Sequence, residues 1–125
     1  MSKNILIVDD EPNIRDLLSK YFRKIGYSPY VAQDAKEAFL IMQQEDIEIV
    51  FLDIKLPGVS GVEILKQLRE LNKNIHVIMI SGHADEDTAK ETLKLGAFDY
   101  IHKPIDLLRL DELLAQIEIS KFTSC

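Results

Sequence analysis

Four polar clusters each follow directly on an apolar or mixed run: Asp9-Asp10-Glu11, Asp53, Ser81-Gly82 and Lys103-Pro104. Should Asp9, Asp10 and Asp53 converge, two carboxylates about 5 Å apart repel by about 3 kcal/mol at an effective dielectric of ~20, so a cation must compensate. Oxygen donors with no Cys or clustered His among them select Mg²⁺ or Mn²⁺ over zinc, and Mg²⁺ keeps places for water and phosphate oxygens. The site therefore expects a phosphoryl group. Lys103 supplies a second, mobile positive charge, able to pair with Asp53 at rest and with phosphate oxygens afterwards. Ser81 can donate its hydroxyl to the same oxygens, and Gly82 leaves room for them. An aspartate carboxylate is an accepted nucleophile on phosphorus. Asp53, ending a central apolar run, is the candidate nucleophile, whereas the adjacent Asp9 and Asp10 are better placed to hold metal.

Elements that would deliver these groups are legible around them. The runs Ile5 to Val8, Ile47 to Leu52 and Ile75 to Ile80 are β-branched and do not alternate, as in strands buried on both faces. Ser28 to Ala32 contains Pro29 and suits an edge strand; Phe98 to His102 is a short fifth. A helix opens after Glu11-Pro12, with Ile14, Leu17, Leu18, Tyr21, Phe22 and Ile25 as its apolar positions, and stops at Gly26. The second has Asp34 as N-cap and Glu37 three residues on, with Ala38, Ile41 and Met42 inward. The third follows the turn Pro57 to Gly61 and carries Val62, Leu65, Leu68 and Leu71. The fourth spans Glu86 to Leu95, and the fifth Leu107 to Ile119 behind Asp106, with Leu110, Leu113, Leu114 and Ile117 buried. Strict alternation of strand and helix points to the α/β class, an open parallel sheet with helices on both faces. In such sheets ligands bind beyond the carboxyl ends of the strands, where all four clusters fall.

Composition removes several alternatives. With 125 residues and no internal repeat or linker, residues 1–125 read as one domain. No apolar run is long enough to span a bilayer, and the N-terminus lacks the pattern of a secretory signal, which predicts a cytoplasmic protein. The lone Cys125 excludes an internal disulfide. A net charge of −6 argues against a phosphate-backbone footprint, so neither direct nucleic-acid nor membrane binding is expected. Gly58 and Gly61 do not form a P-loop, and His76 and His102 lie in strand-like segments without metal-site spacing.

The segments ILIVDDEP, VFLDIKLPGVSGVEIL, IMISGHAD and GAFDYIHKP, in this order over nearly the whole chain, closely resemble the receiver domains of bacterial two-component response regulators. The resemblance implies a five-stranded sheet of order 2-1-3-4-5 with five helices. It also implies phosphorylation of Asp53 by a histidine kinase or phosphotransfer protein. Asp10 and Asp53 would be side-chain ligands of Mg²⁺, Lys55 would offer its backbone carbonyl, and Asp9 would act through water. Lys103, Ser81 and Gly82 would meet the phosphoryl group, Ser81 and Tyr100 would occupy switch positions, and Lys103-Pro104 would be a cis peptide. Output would come from the face of helix 4, strand 5 and helix 5, toward a downstream protein or fused output domain, with the molecule a monomer or a phosphorylation-dependent dimer. The kinase would dock at the loop after strand 1, the start of helix 1 around Ile14 and the loop after Pro104. The chain would be either a stand-alone receiver or one excised from a longer regulator. Lys55 and His83 lie where the family varies, flanking the path of hydrolytic water, and are expected to tune the lifetime of the acyl phosphate.

Two rivals share part of this pattern. A Mg²⁺-dependent aspartyl-phosphate phosphatase would use an Asp-x-Asp motif whose second Asp is a general acid, but Lys55 stands at that position. A flavin-binding module on the same fold would meet an acidic rim that repels its phosphate.

Overall fold

The computed structural model describes residues 3–72 and 74–123. Five strands alternate with five helices: β1 (Asn4–Val8), α1 (Pro12–Lys24), β2 (Ser28–Ala32), α2 (Ala35–Gln44), β3 (Ile49–Asp53), α3 (Gly61–Leu71), β4 (His76–Ser81), α4 (Glu86–Lys94), β5 (Asp99–His102) and α5 (Leu107–Thr123). A 3-10 turn, His83–Asp85, precedes α4. Every strand pairing is parallel and the order is β2-β1-β3-β4-β5, the flavodoxin-like arrangement expected.

The central strands lack alternation because both faces of the sheet are covered. Successive strand side chains point to opposite faces. Leu6, Val8, Val50, Leu52, Val77 and Met79 pack toward Ala38 of α2, Ile64, Leu65 and Leu68 of α3, and Ala89 of α4. Ile5, Ile7, Ile49, Phe51, Ile78 and Ile80 pack toward Leu18 and Phe22 of α1 and toward Leu110, Leu113, Leu114 and Ile117 of α5. Full burial of each large side chain stabilises by about 1.5–3 kcal/mol, so these two layers hold the sheet that carries the rim.

Local signals set the element ends. Pro12 opens α1, and Gly26 and Gly96, with φ of 100° and 102°, follow α1 and α4 in a conformation that excludes most side chains. Asp34 accepts the Glu37 N–H at 2.9 Å, while the Glu37 carboxylate accepts the Gln33 N–H at 2.9 Å. Asp106 accepts the Leu108 N–H at 3.0 Å and starts α5.

Three sequence expectations are corrected. Leu17 and Ile25 of the α1 stripe, and Leu71 of α3, are exposed, whereas Ile64 is fully buried. The 3-10 turn ahead of α4 was not foreseen. Helix α5 runs to Thr123 rather than Ile119, because Ser120 and Lys121 find partners on neighbouring elements. No helix among the described residues is long and apolar enough to cross a membrane. Cys125 lies outside the described residues.

Candidate functional site

β1 and β3 are adjacent and in register from Ile5 with Ile49 to Val8 with Leu52. Asp9 and Asp53 therefore leave the sheet side by side, and both are buried, while Asp10 turns to solvent. One carboxylate oxygen from each of Asp9, Asp10 and Asp53 lies within 4.8 Å of the others. Lys103 reaches them from beyond β5, two strands and about 10 Å from β3. The intervening β4 ends in the small residues Ser81 and Gly82, which leave that crossing open. The Lys103 Nζ stands 3.2 Å from Asp53 Oδ2 and 3.3 Å from Asp9 Oδ2, and also pairs with Glu11 Oε2. Its backbone N–H donates to the Ser81 carbonyl at 2.8 Å, and the Lys103–Pro104 bond is cis.

Burial, then the neighbouring Asp9 charge, pushes the Asp53 carboxyl up to about 6, against the opposing pull of Lys103 and the Lys55 N–H. Burial likewise raises Asp9, opposed by the Glu11 N–H and Lys103. Burial disfavours the Lys103 charge, yet its hydrogen bond to Glu11 and the charges of Asp9 and Asp53 prevail and raise it. One lysine does not saturate this pocket. Asp9 Oδ1 accepts the Glu11 N–H at 2.8 Å, but the buried Asp9 Oδ2 accepts no well-directed hydrogen bond among the described residues and faces only the Lys103 ammonium, 3.3 Å away and shared with Asp53 and Glu11. A buried oxygen left so, beside two further carboxylates, fits a small hard cation held by oxygen donors.

The family model described as the response regulator receiver domain matches residues 5–116. The chain belongs to the response regulator receiver family. Receivers are signalling switches rather than conventional enzymes, and they bind Mg²⁺ at an acidic pocket. This receiver is 39% identical over 107 residues to Sporulation initiation phosphotransferase F of Bacillus subtilis, covering 86% of each chain. It is 38% identical over 110 residues to the response regulator protein PilR of Pseudomonas aeruginosa, covering 88% of this chain but 25% of PilR. In that relative the similar segment is thus one part of a longer protein. A response regulator receiver domain protein from Clostridium thermocellum superposes with a TM-score of 0.91 at 28% identity, covering 100% of both chains. The receiver domain of NtrX from Brucella abortus gives 0.86 at 35% identity, over 90% of this chain and 96% of that one.

Other expected site residues of this receiver surround the pocket at different depths. Ser81 is buried, and its hydroxyl donates to the Gly82 carbonyl at 3.1 Å rather than to Asp53. Tyr100 is half-buried and donates to Glu86 Oε1 at 3.0 Å; the other oxygen of Glu86 meets His102 Nε2 at 3.0 Å. The Lys55 backbone N–H donates to Asp53 Oδ1 at 3.2 Å, while the ammonium of its 71% exposed side chain pairs with Asp85 at 3.4 Å. The side chain of His83 lies outside the described residues. His76 packs edge-on against Phe98 at the opposite end of β4 and joins no metal cluster among the described residues.

Three contributors were not assigned a role from sequence. Arg15 donates to the Asp9 carbonyl at 2.7 Å. Gly61 donates to the Ile54 carbonyl at 2.8 Å, and a Cβ on it would stand 2.1 Å from the Asp53 carbonyl oxygen, so only glycine allows α3 to seat there. Glu11 pairs with Lys103. Glu11 shows in the sequence only as the third acid of its run, and Gly61 only as the end of a turn.

Proposed function

We propose that this receiver is a phosphorylation-dependent switch of a two-component or phosphorelay system, with Asp53 as its phosphate acceptor. One observation carries the reading: the Asp53 carboxylate ends β3 in contact with Lys103 and within reach of the Asp9-Asp10 pair. The donor is a histidine kinase or phosphotransfer protein, in keeping with the relative named a phosphotransferase. An Asp53 oxygen forms the new P–O bond while the P–N bond of a phosphohistidine breaks, and the departing imidazole nitrogen keeps the electron pair.

Asp10, Asp53 and the Lys55 carbonyl would hold Mg²⁺, with Mn²⁺ an accepted substitute and Asp9 acting through water. When bound, the cation neutralises charge on the transferring group. Lys103 pairs with the phosphoryl oxygens, Ser81 gives up its bond to Gly82 to donate to them, and Gly82 leaves them space. Tyr100 turns from Glu86 as the second switch residue. A phosphoryl group shifts the two packings only through its different affinity for each. The altered face of α4, β5 and α5 then addresses a downstream protein or an output domain on the same chain. Residues 1–125 act as one receiver domain in the cytoplasm, without direct contact to nucleic acid or membrane, as a monomer or a dimer formed on phosphorylation. Lys55 and His83 tune slow self-dephosphorylation.

Incubation with acetyl phosphate and Mg²⁺ tests the reading. Wild type is expected to take up about one acyl phosphate per chain; Asp53→Asn, or wild type without divalent cation, takes up none. Label on another side chain, or turnover of many equivalents as a phosphatase would give, refutes it.

A further inference from the structure

An ammonium group has three N–H donors and no acceptor, and at Lys103 three carboxylates stand around it: Asp53, Asp9 and Glu11. They differ in what else claims them. The oxygens of Asp53 and Asp9 line the pocket that a cation and a phosphoryl group would share, whereas Glu11 sits at its mouth with a side chain 55% exposed. The Glu11 backbone is itself held at the start of α1. Its N–H donates to Asp9 Oδ1 at 2.8 Å, and its carbonyl accepts from Ile14 at 3.1 Å and Arg15 at 3.2 Å, the first bonds of α1. A side chain rooted in that way is a fixed post for a long, flexible lysine arriving from β5.

We propose that Glu11 is a positioning residue for Lys103, holding the ammonium at the outer edge of the pocket over Asp53 Oδ2. The proposal rests on Asp53 being the phosphate acceptor. Without Glu11, Lys103 has only Asp9 and Asp53 to pair with. Released from the mouth, it is drawn further in between them, where it competes more strongly with a divalent cation and turns away from phosphoryl oxygens. With Glu11, one donor stays engaged at the mouth throughout, while the ammonium exchanges its hydrogen bond to Asp53 and its ion pair with Asp9 for the oxygens of the incoming group. Glu11 touches neither phosphorus nor metal in this scheme and acts only through the lysine.

The test is a double-mutant cycle on the full chain with acetyl phosphate as donor, using wild type, Glu11→Gln, Lys103→Met and the double variant. Initial phosphorylation rates are measured at saturating Mg²⁺, and Mg²⁺ affinity is measured separately without donor. Glu11→Gln is expected to slow phosphorylation three- to tenfold and to weaken Mg²⁺ binding at least twofold. In the Lys103→Met background the same substitution changes either quantity by less than 1.5-fold. Equal penalties in both backgrounds would mean that Glu11 acts through its own charge, and would overturn the proposal. So would an unchanged rate in Glu11→Gln. A wild type that takes up no label at Asp53 instead overturns the acceptor assignment, and this inference with it.

Discussion

Both rims of the sheet bury charged groups, and they use them in opposite ways. At the amino ends of the strands, charges alternate in sign. Glu48, just before β3, pairs with Lys121 of α5, which also meets Glu118 at 3.1 Å. Glu118 accepts the Tyr27 hydroxyl at 3.3 Å, and Ser120 lies 3.3 Å from His76 Nε2. This network fastens the last turns of α5 to the sheet. At the carboxyl ends, Asp9, Asp10 and Asp53 crowd within 4.8 Å with Lys103 among them, like charges gathered on one cation. Like residue types thus make a staple where signs alternate and a reactive pocket where they repeat.

The largest expected contrast comes from one substitution on each rim. Asp53→Asn removes all acyl phosphate, whereas Lys121→Met leaves phosphorylation within about twofold yet destabilises the fold by about 1–3 kcal/mol, since Glu48 loses its partner. Label stoichiometry and urea midpoints on both variants read this out. A Lys121→Met protein that folds but takes up no label breaks the division between rims.

Opposite pH slopes come next in size. In metal-free protein the Asp53 carboxyl sits at about 6 when folded, above its ordinary 3.8, so the native state binds the extra proton. Its contribution is fully present below about pH 4 and lost as pH rises to about 6, amounting to at most about 3 kcal/mol. Asp53→Asn should therefore be more stable than wild type at pH 7 without metal, and the difference should vanish near pH 4. His76 behaves inversely. Burial, then the Arg69 charge, holds its pKa below the usual 6.5, so its contribution is intact above that value and lost as pH falls below it. Denaturant midpoints from pH 4 to 8 for wild type, Asp53→Asn and His76→Gln separate the two. Equal slopes for all three proteins would remove the electrostatic difference between the rims.

The smallest effect concerns Lys55, whose ammonium reaches Asp85 across the mouth of the pocket. A surface pair of this kind is worth about 0.2–1 kcal/mol, so Lys55→Ala should speed acyl-phosphate decay by at most about fivefold. Unchanged decay removes Lys55 from the list of tuning residues.

What the sequence revealed follows the range of the forces involved. The unbroken runs of β1, β3 and β4 announced strands covered on both faces, because that pattern is local. Asp9, Asp53 and Ser81 are legible as rim residues because each follows such a run, and Lys103 because it follows the short mixed run of β5. Strand order was supplied by family resemblance, and periodicity over-read Leu17 and Leu71, which carry the right spacing but face water. The end of α5 was placed four residues early, since Ser120 and Lys121 look like a polar stop until His76 and Glu48 are seen to receive them. Glu11 was visible as an acid but not as a partner of a lysine 92 residues away. That pairing exists only once β1 and β5 share a rim.

The seat of Gly61 against the Asp53 carbonyl bears on how this molecule can respond to a load. With α3 butted against the Asp53 backbone, that wall of the pocket has no room to close further. On the reading proposed above, the groups left to shift when Asp53 is loaded are those across the pocket, Ser81 and the Tyr100–Glu86 pair, which would give the response a direction before any partner is present.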